Sequence, residues 1–189
     1  MKYYQEITLI PDPVGMPLSY LQQRLFYQVH AALAREPGDN SVGISFPDYD
    51  GEGCQLGNKI RLLAPTEDIL KNLQLRHLLL RLSDYSHLSD IRQVPEKIES
   101  YAFFRRVQPK TSLGSIARRK ARREGITVDE ALNLLGPPKK TPKLPAVSME
   151  SKSSGQQYPL FVSRVLSDEP ATGSYSTYGL SSTGTVPLF

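Results

Sequence analysis

The alternation of extended and helical patterns in the first half of the chain restricts its fold more than any other feature. "KYYQEITLI" (residues 2–10) alternates apolar and polar side chains as a half-buried strand does, and "PDP" ends it. A helix is predicted to begin near Pro17 or Ser19, where Ser19 and Gln22 have capping-box spacing, and to run to about Ala34. Its apolar stripe consists of Leu18, Leu21, Leu25, Val29 and Ala32.

The residues up to Val94 continue this alternation. "VGISF" (42–46) and "KIRLLA" (59–64) predict two strands joined by a polar turn, "PTEDILKNLQLRHLLLRL" (65–82) predicts a second helix, and a last strand lies within 87–94. The order strand, helix, strand, strand, helix, strand indicates a ferredoxin-like arrangement, an antiparallel sheet with both helices on one face. We therefore expect an α+β fold, which by itself does not give a function.

The segment "VPEKIES" (94–100) marks the predicted boundary between a ferredoxin-like domain, 1–97, and a second α+β domain, 98–189. In the second domain, "YAFFRRVQ" predicts a strand, and Thr127 with Glu130 forms a capping box for the helix "VDEALNLL", which stops at "GPP". "KKTPKLP" is predicted to be an exposed linker, and "YPLFVSRV" and "TVPLF" short strands.

A run of cations, "SIARRKARREG" (115–125), holds five Lys and Arg in eleven residues and should form a helix that Gly125 ends. On that arginine helix, four guanidiniums fall within an arc of about 140°, with Ala117 and Ala121 on the other side. Like charges at this spacing repel by about a few tenths of a kcal/mol per pair. A solvated face or a localisation signal is the simpler interpretation. Because Arg matches phosphate oxygens two at a time, we favour contact with nucleic acid.

The distribution of charge supports that interpretation. The formal net charge is only +4, yet eight of the 23 Lys and Arg lie between Arg105 and Arg123, where no acid occurs. The remainder of the chain has 15 basic against 19 acidic residues. The positive field therefore belongs to one element, as binding a phosphate backbone in one place requires.

The sequence shows no signals typical of disulfide-bonded, membrane, secreted or metal-binding proteins. The single Cys54 excludes an internal disulfide, and no apolar run has the length of a membrane span or the order of a signal peptide. The three histidines are scattered, and "PDYDGEG" (47–53) lacks the rest of a calcium loop. We therefore expect a cytoplasmic protein with no membrane contact, no metal and no cofactor.

His30 lies at the border of the apolar stripe, next to Phe26 and Leu33. It is either a structural ring, packed on Phe26 and hydrogen-bonded to the backbone, or a general base, since imidazoles titrate near ~6.5. RNA supplies its own nucleophile, the 2′-hydroxyl, so cleaving it requires a base and a means of holding the backbone but no metal.

Seven segments together carry a resemblance to a known family. They are "PDP" after the first strand, "LFYQVHAAL", "VGISFPDYD", "RRVQPK", the arginine helix, "LPAVSMESKSSGQQYPLFV" and "STYGLSSTGTVPLF". In this order and spacing, nearly from end to end, the chain resembles the CRISPR-associated endoribonuclease of type I-F systems, which cuts the repeat hairpin of the guide-RNA precursor.

The resemblance implies three catalytic residues. His30 occupies the position of the catalytic histidine, Ser151 that of a serine holding the attacking 2′-hydroxyl, and Tyr178 that of a tyrosine orienting the histidine or phosphate. Taken alone, Ser151 is one hydroxyl in a polar loop and Tyr178 a half-buried strand aromatic. The chain departs from the family pattern at Glu150, where a basic residue is familiar, and also at Gln157 and Leu188.

The resemblance also implies RNA-binding residues. Arg106 and Gln108 match a pair that reads base edges in the stem, and Tyr158 matches a ring stacked on the base pair next to the cut. Their alternatives are the solvent side of a strand and the core of a strand. Residues matched to phosphate contacts are Arg118, Arg119, Arg122 and Arg123.

The implied function is that of a metal-independent endoribonuclease. It would cleave a CRISPR repeat hairpin at the 3′ base of the stem, leave a 2′,3′-cyclic phosphate and a 5′-hydroxyl, and stay on the mature crRNA with other Cas subunits of a type I-F complex. The alternative is a hairpin-binding subunit of a ribonucleoprotein that does not cut, in which His30 merely packs.

Overall fold

The computed structural model describes residues 1–12, 14–35, 40–108, 113–136, 143–151 and 155–189. The chain divides into two compact units, Met1–Val107 with Leu144–Phe189, and Gln108–Lys143. We call them the sheet unit and the helical unit. The predicted division into 1–97 and 98–189 stays a prediction. Most of the predicted linker "KKTPKLP" lies outside the described residues.

The first sheet of the sheet unit has the predicted order of elements. The elements are β1 (Tyr3–Leu9), α1 (Leu18–Leu33), β2 (Gly43–Ser45), β3 (Lys59–Ala64), β4 (Ser86–Leu88) and β5 (Arg92–Gln93). The strands pair in the order β2, β3, β1, β4, all antiparallel, with β5 also pairing with β1. The predicted α+β class is confirmed.

The second predicted helix, 65–82, is wrong as a single element. The segment forms α2 (Glu67–Asn72), α3 (Leu75–Leu78) and a 3-10 helix (Leu80–Tyr85), and the chain turns at Gln74 with φ +51°. On one continuous helix Leu70 and Leu79 would lie about 180° apart. Both are buried. The break therefore lets Leu70 and Leu79 face one core, which outweighs the helix propensity of the segment.

The predicted N-terminal cap of α1 is also wrong. The helix begins after Pro17, which makes no side-chain cap bond, and Ser19 lies inside the helix. Gln22 is buried, and its side-chain amide donates to the Gly57 carbonyl at 2.8 Å. Because a buried side-chain amide requires a hydrogen-bond partner, Gln22 bonds to Gly57 and does not form the capping box with Ser19.

A second antiparallel sheet completes the sheet unit. The strands are β6 (Ser100–Val107), β7 (Ala146–Glu150), β8 (Gln157–Ser167) and β9 (Val186–Leu188). They lie in the order β7, β8, β6, β9, and the predicted strands "YAFFRRVQ", "YPLFVSRV" and "TVPLF" are confirmed in this sheet. Phe46 stacks on Phe26 of α1, with ring centroids 5.7 Å apart, and contacts Phe104 edge-on, with centroids 5.1 Å apart. The two sheets therefore share one core with α1.

The helical unit contains α4 (Leu113–Glu124), which is the arginine helix, and α5 (Val128–Leu135). Ala117 and Ala121 are buried against Ala131 of α5, as the predicted faces required. The capping box is confirmed, because the Glu130 amide donates to Thr127 Oγ1 at 3.2 Å and the Thr127 amide to the Glu130 carboxylate at 2.8 Å. Burial of the alanine face leaves the arginine face outward.

Candidate active site and nucleic-acid interface

His30 lies in the last turn of α1, half-buried. Its Nδ1 is 2.9 Å from the carbonyl oxygen of Thr177. Because a carbonyl only accepts hydrogen bonds, Nδ1 carries the proton and donates it. In the neutral ring the lone pair is then on Nε2, which is the nitrogen able to take a proton from a substrate.

Tyr178 covers one face of the imidazole. The two rings are parallel within 5°, with centroids 4.2 Å apart. A tight turn positions both Tyr178 and the Thr177 carbonyl, since the Gly179 amide donates to the Ser176 carbonyl at 2.7 Å. The Ile44 amide donates to the Gly179 carbonyl at 2.8 Å, which ties the turn to β2. His30 is therefore held by a segment 147 residues away in sequence.

Tyr158 and Arg106 extend this group, and we call His30, Tyr178, Tyr158 and Arg106 the His30 cluster. The hydroxyl oxygens of Tyr158 and Tyr178 are 2.7 Å apart. The Arg106 guanidinium carbon lies 5.2 Å from the Tyr178 ring centroid and 5.6 Å from that of Tyr158. β6 and β8 pair side by side and bring these two residues together. The cluster thus joins an imidazole, two phenols and an exposed cation.

The phenol of Tyr178 keeps its proton over the whole physiological range. Burial, followed by the hydrogen bond to Tyr158, raises the pKa of Tyr178 to about 12, against a smaller lowering by Arg106. At neutral pH Tyr178 is therefore a hydrogen-bonding group and not a base. Nε2 of His30 has the lone pair that can accept a proton, because Nδ1 donates to the Thr177 carbonyl.

Ser151 lies just after β7, beside α1. Its amide donates to the Gln156 carbonyl at 2.9 Å, and its carbonyl accepts from the Gly155 amide at 2.8 Å. It lines a cavity together with Tyr27, which is one turn before His30 on α1. The predicted contact of Ser151 with the reacting ribose stays a prediction.

The predicted phosphate-binding arginines of α4 are all exposed: Arg118, Arg119, Arg122 and Arg123. Glu124, the acid at the edge of the run, pairs with Lys120 at 3.0 Å and with Arg123 at 2.8 Å. These pairs, with that to Arg123 the stronger, lower the pKa of Glu124. One carboxylate thus offsets part of the charge at the C-terminal end of the helix.

Gln108 is exposed and begins the helical unit, whereas Arg106 belongs to the sheet unit. Their joint reading of base edges stays a prediction. Thr177 was not predicted from sequence, because it acts through its backbone carbonyl, an atom that every residue type has. Arg24 and Tyr27, an exposed cation and aromatic at i, i+3 on the helix of His30, were not predicted either.

Within the described ranges, no group of three or more His, Cys, Asp and Glu side chains is arranged to hold a metal ion. In the same ranges, no helix combines the length and the apolar character required to cross a membrane. An imidazole with a defined basic nitrogen beside a cation, together with a separate cationic helix, is typical of proteins that act on phosphodiesters.

Comparison with known proteins agrees with this class. The model of the family described as CRISPR-associated protein (Cas_Csy4) matches residues 4–189. A Pseudomonas aeruginosa (strain UCBPP-PA14) protein named CRISPR-associated endonuclease Cas6/Csy4 is 34% identical over 194 residues, covering 100% of both chains. An Escherichia coli (strain UTI89 / UPEC) protein of the same name is 34% identical over 192 residues, again 100% of both.

The chain therefore belongs to the Cas_Csy4 family. The resemblance and the enzyme class predicted from sequence, a nuclease that cuts within its substrate, are confirmed.

Proposed function

We propose that this protein is a metal-independent endoribonuclease that binds the hairpin of a CRISPR repeat and cleaves it at the 3′ base of the stem. One observation carries the proposal: the Nδ1 bond to Thr177 fixes the His30 tautomer with the lone pair on Nε2. A base with this orientation is what 2′-hydroxyl attack requires. A backbone hydrogen bond fits the structural alternative as well, but that alternative placed the ring on Phe26, whereas the imidazole stacks on Tyr178.

In the proposed reaction His30 Nε2 takes the proton of the 2′-hydroxyl. The 2′ oxygen attacks the adjacent phosphorus, the bond from phosphorus to the 5′ oxygen breaks, and the departing oxygen takes up a proton. The products are a 2′,3′-cyclic phosphate and a 5′-hydroxyl. Every bond is exchanged within the RNA, so no external nucleophile is needed.

The rest of the His30 cluster supports this step. Tyr178, stacked at 4.2 Å, prevents rotation of the imidazole and remains a neutral phenol. Arg106, whose guanidinium lies over both tyrosine rings, reads a base edge of the stem in this proposal. In this proposal Ser151 holds the attacking 2′-hydroxyl, Tyr158 stacks on the last base pair, and Gln108 reads a base edge.

The arginine helix supplies the affinity in this proposal. Its four exposed guanidiniums lie along one face and would contact successive phosphates of the stem. Tight binding through these contacts would keep the enzyme on its product and so place it, with the crRNA, among other Cas subunits of a type I-F complex.

The test is cleavage of a repeat hairpin RNA in EDTA under single-turnover conditions. We expect His30→Ala to lower the rate about 10²–10⁴-fold with nearly unchanged affinity, because general-base catalysis contributes on this scale. His77→Ala is the matched control, since His77 is exposed on α3. An RNA with a 2′-deoxyribose at the cut should bind and remain intact, and end analysis should find the cyclic phosphate.

The same experiment separates the alternative function. If wild type and His30→Ala both bind the hairpin and neither cuts it, the protein is a hairpin-binding subunit. Equal cleavage by wild type and His30→Ala would instead contradict the assigned base.

A further inference from the structure

A cavity of about 420 Å³ opens between α1 and the end of β7. Its volume falls within the range of about 300–1,000 Å³ that is typical of small-molecule sites. Arg24 and Tyr27 line it from α1, and Glu150, Ser151 and Gly155 line it from the other side. All of these residues belong to the sheet unit. The cavity therefore has the size of a ligand site and lies one helical turn from the proposed base.

The side chains on α1 give the cavity the chemistry of a nucleotide site. Tyr27 is 38% exposed, and an aromatic ring is a surface on which a nucleic-acid base can stack. Arg24 is exposed, and among the described residues no ion pair within 4.0 Å engages its guanidinium. Residues three apart are neighbours on a helix surface, so the ring and the cation can contact one ligand together.

The position of the cavity indicates which nucleotide it takes. In the proposed function the stem side of the reacting phosphate is contacted by Tyr158 and Arg106. The strand on the 3′ side of the cut is then the part of the substrate without an assigned partner. Tyr27 precedes His30 by three residues, about 4.5 Å along the helix axis, so the two side chains are neighbours on the helix surface.

We propose that this cavity binds the ribonucleotide directly 3′ of the cut, with its base stacked on Tyr27 and its following phosphate on Arg24. The assignment rests on the proposed function and adds to it a subsite for the departing strand. Glu150, which also lines the cavity, is a carboxylate and so would face the base and not a phosphate. Holding this nucleotide would keep the departing 5′ oxygen aligned with the attacking 2′ oxygen.

The test compares two hairpin RNAs that differ at one position, the nucleotide directly 3′ of the cut. One RNA has a base there and the other has an abasic ribose, which keeps the phosphate and the departing oxygen. We expect wild type to cleave the first with kcat/KM about tenfold higher, the size of one base stacked on an aromatic ring. Tyr27→Ala should bring this ratio close to one, and Tyr27→Phe should retain it.

Tyr20→Ala is the matched control, because Tyr20 is on the same helix and similarly exposed, at 42%. It should keep the wild-type ratio. Thermal unfolding of each variant shows whether it is folded. Binding of the cleaved hairpin, which lacks the downstream nucleotide, should be the same for Tyr27→Ala and wild type. Weaker binding of that product would place the cavity on the stem side and overturn the assignment.

Arg24 gives a second, independent measurement. A neutral methylphosphonate in place of the phosphate that follows the downstream nucleotide should lower kcat/KM of wild type several-fold and that of Arg24→Ala much less. If wild type cleaves neither RNA of the first experiment, the proposed function fails and the subsite with it. If wild type cleaves the base-containing and abasic RNAs equally, the function stands and the subsite is wrong.

Discussion

The two units of this protein are built in different ways. In the helical unit the determining contacts are local: the capping box joins Thr127 and Glu130, and Ala117 and Ala121 pack on the next helix. In the sheet unit the His30 cluster depends on a contact between residues 147 apart. The charged surface of α4 is therefore specified by short stretches of sequence, whereas the geometry of the His30 cluster is specified by the tertiary fold. Each unit should therefore respond differently to the same kind of change.

Two glycines with nearly the same backbone angle test this difference most strongly. Gly179 in the turn beside Tyr178 has φ +68°, and a Cβ there would lie 2.5 Å from Ile44 Cγ1. Gly125 at the end of α4 has φ +67°, and apart from its two chain neighbours no atom of the described residues lies within 4 Å of a Cβ there. We expect Gly179→Ala to lower the free energy of unfolding by about 3 kcal/mol, through strain and overpacking.

Gly125→Ala should cost only about 1 kcal/mol, because backbone strain alone acts there. Urea denaturation measures both values. Gly179→Ala should also slow cleavage by displacing Tyr178 and the Thr177 carbonyl from His30, while Gly125→Ala should leave the rate at saturating RNA unchanged. Equal stability losses in the two variants would contradict the proposed difference between the sheet unit and the helical unit.

The same contrast explains what the sequence could predict. The strands of both sheets except β7, together with α1 and the two helices of the helical unit, follow from periodicity and caps, since these signals lie within a few residues. β7 was not predicted from sequence. The segment 65–82 was wrong as one helix, because burial of Leu70 and Leu79 in one core is a tertiary requirement. Ser19 was wrong as a cap because Gln22 bonds to Gly57, far along the chain.

The candidate site was predictable only in part. The cationic face of α4 follows from spacing alone, and it is exposed as predicted. His30 was ambiguous from its position on α1, and Tyr178 was named through the family resemblance. No pattern of residue types identifies the Thr177 carbonyl, because a backbone atom leaves no trace in the sequence. Local sequence patterns do not report contacts between residues far apart in the chain, such as that between His30 and Thr177.

Alkaline pH should destabilise the sheet unit through two buried tyrosines. Burial raises the pKa of Tyr175 and of Tyr178 to about 12, whereas an unfolded tyrosine titrates near ~10. The folded state thus holds these protons more tightly than the unfolded state, so the stabilisation is complete below pH ~10 and is lost as pH rises toward ~12. The helical unit, residues 108–143, contains no tyrosine.

We therefore expect the free energy of unfolding, measured by urea denaturation, to fall between pH ~10 and ~12, with a smaller fall in Tyr178→Phe. Tyr20→Phe, at an exposed position, is the control and should behave like wild type. A pH dependence that is unchanged in Tyr178→Phe would show that its proton is held no more tightly in the folded state.

The smallest expected effect concerns the helical unit alone. Arg119→Ala should weaken binding of the repeat hairpin several-fold and lower the slope of log affinity against log salt by about 0.7–0.9, since one phosphate contact releases about that many counterions. Arg81→Ala, an exposed arginine of the sheet unit, should leave the slope unchanged. Binding is measured with uncleavable RNA carrying the 2′-deoxyribose, so that chemistry does not contribute. If both substitutions lower the slope equally, the positive field that holds RNA is spread over the molecule, and the division between a binding helix and a chemical core is wrong.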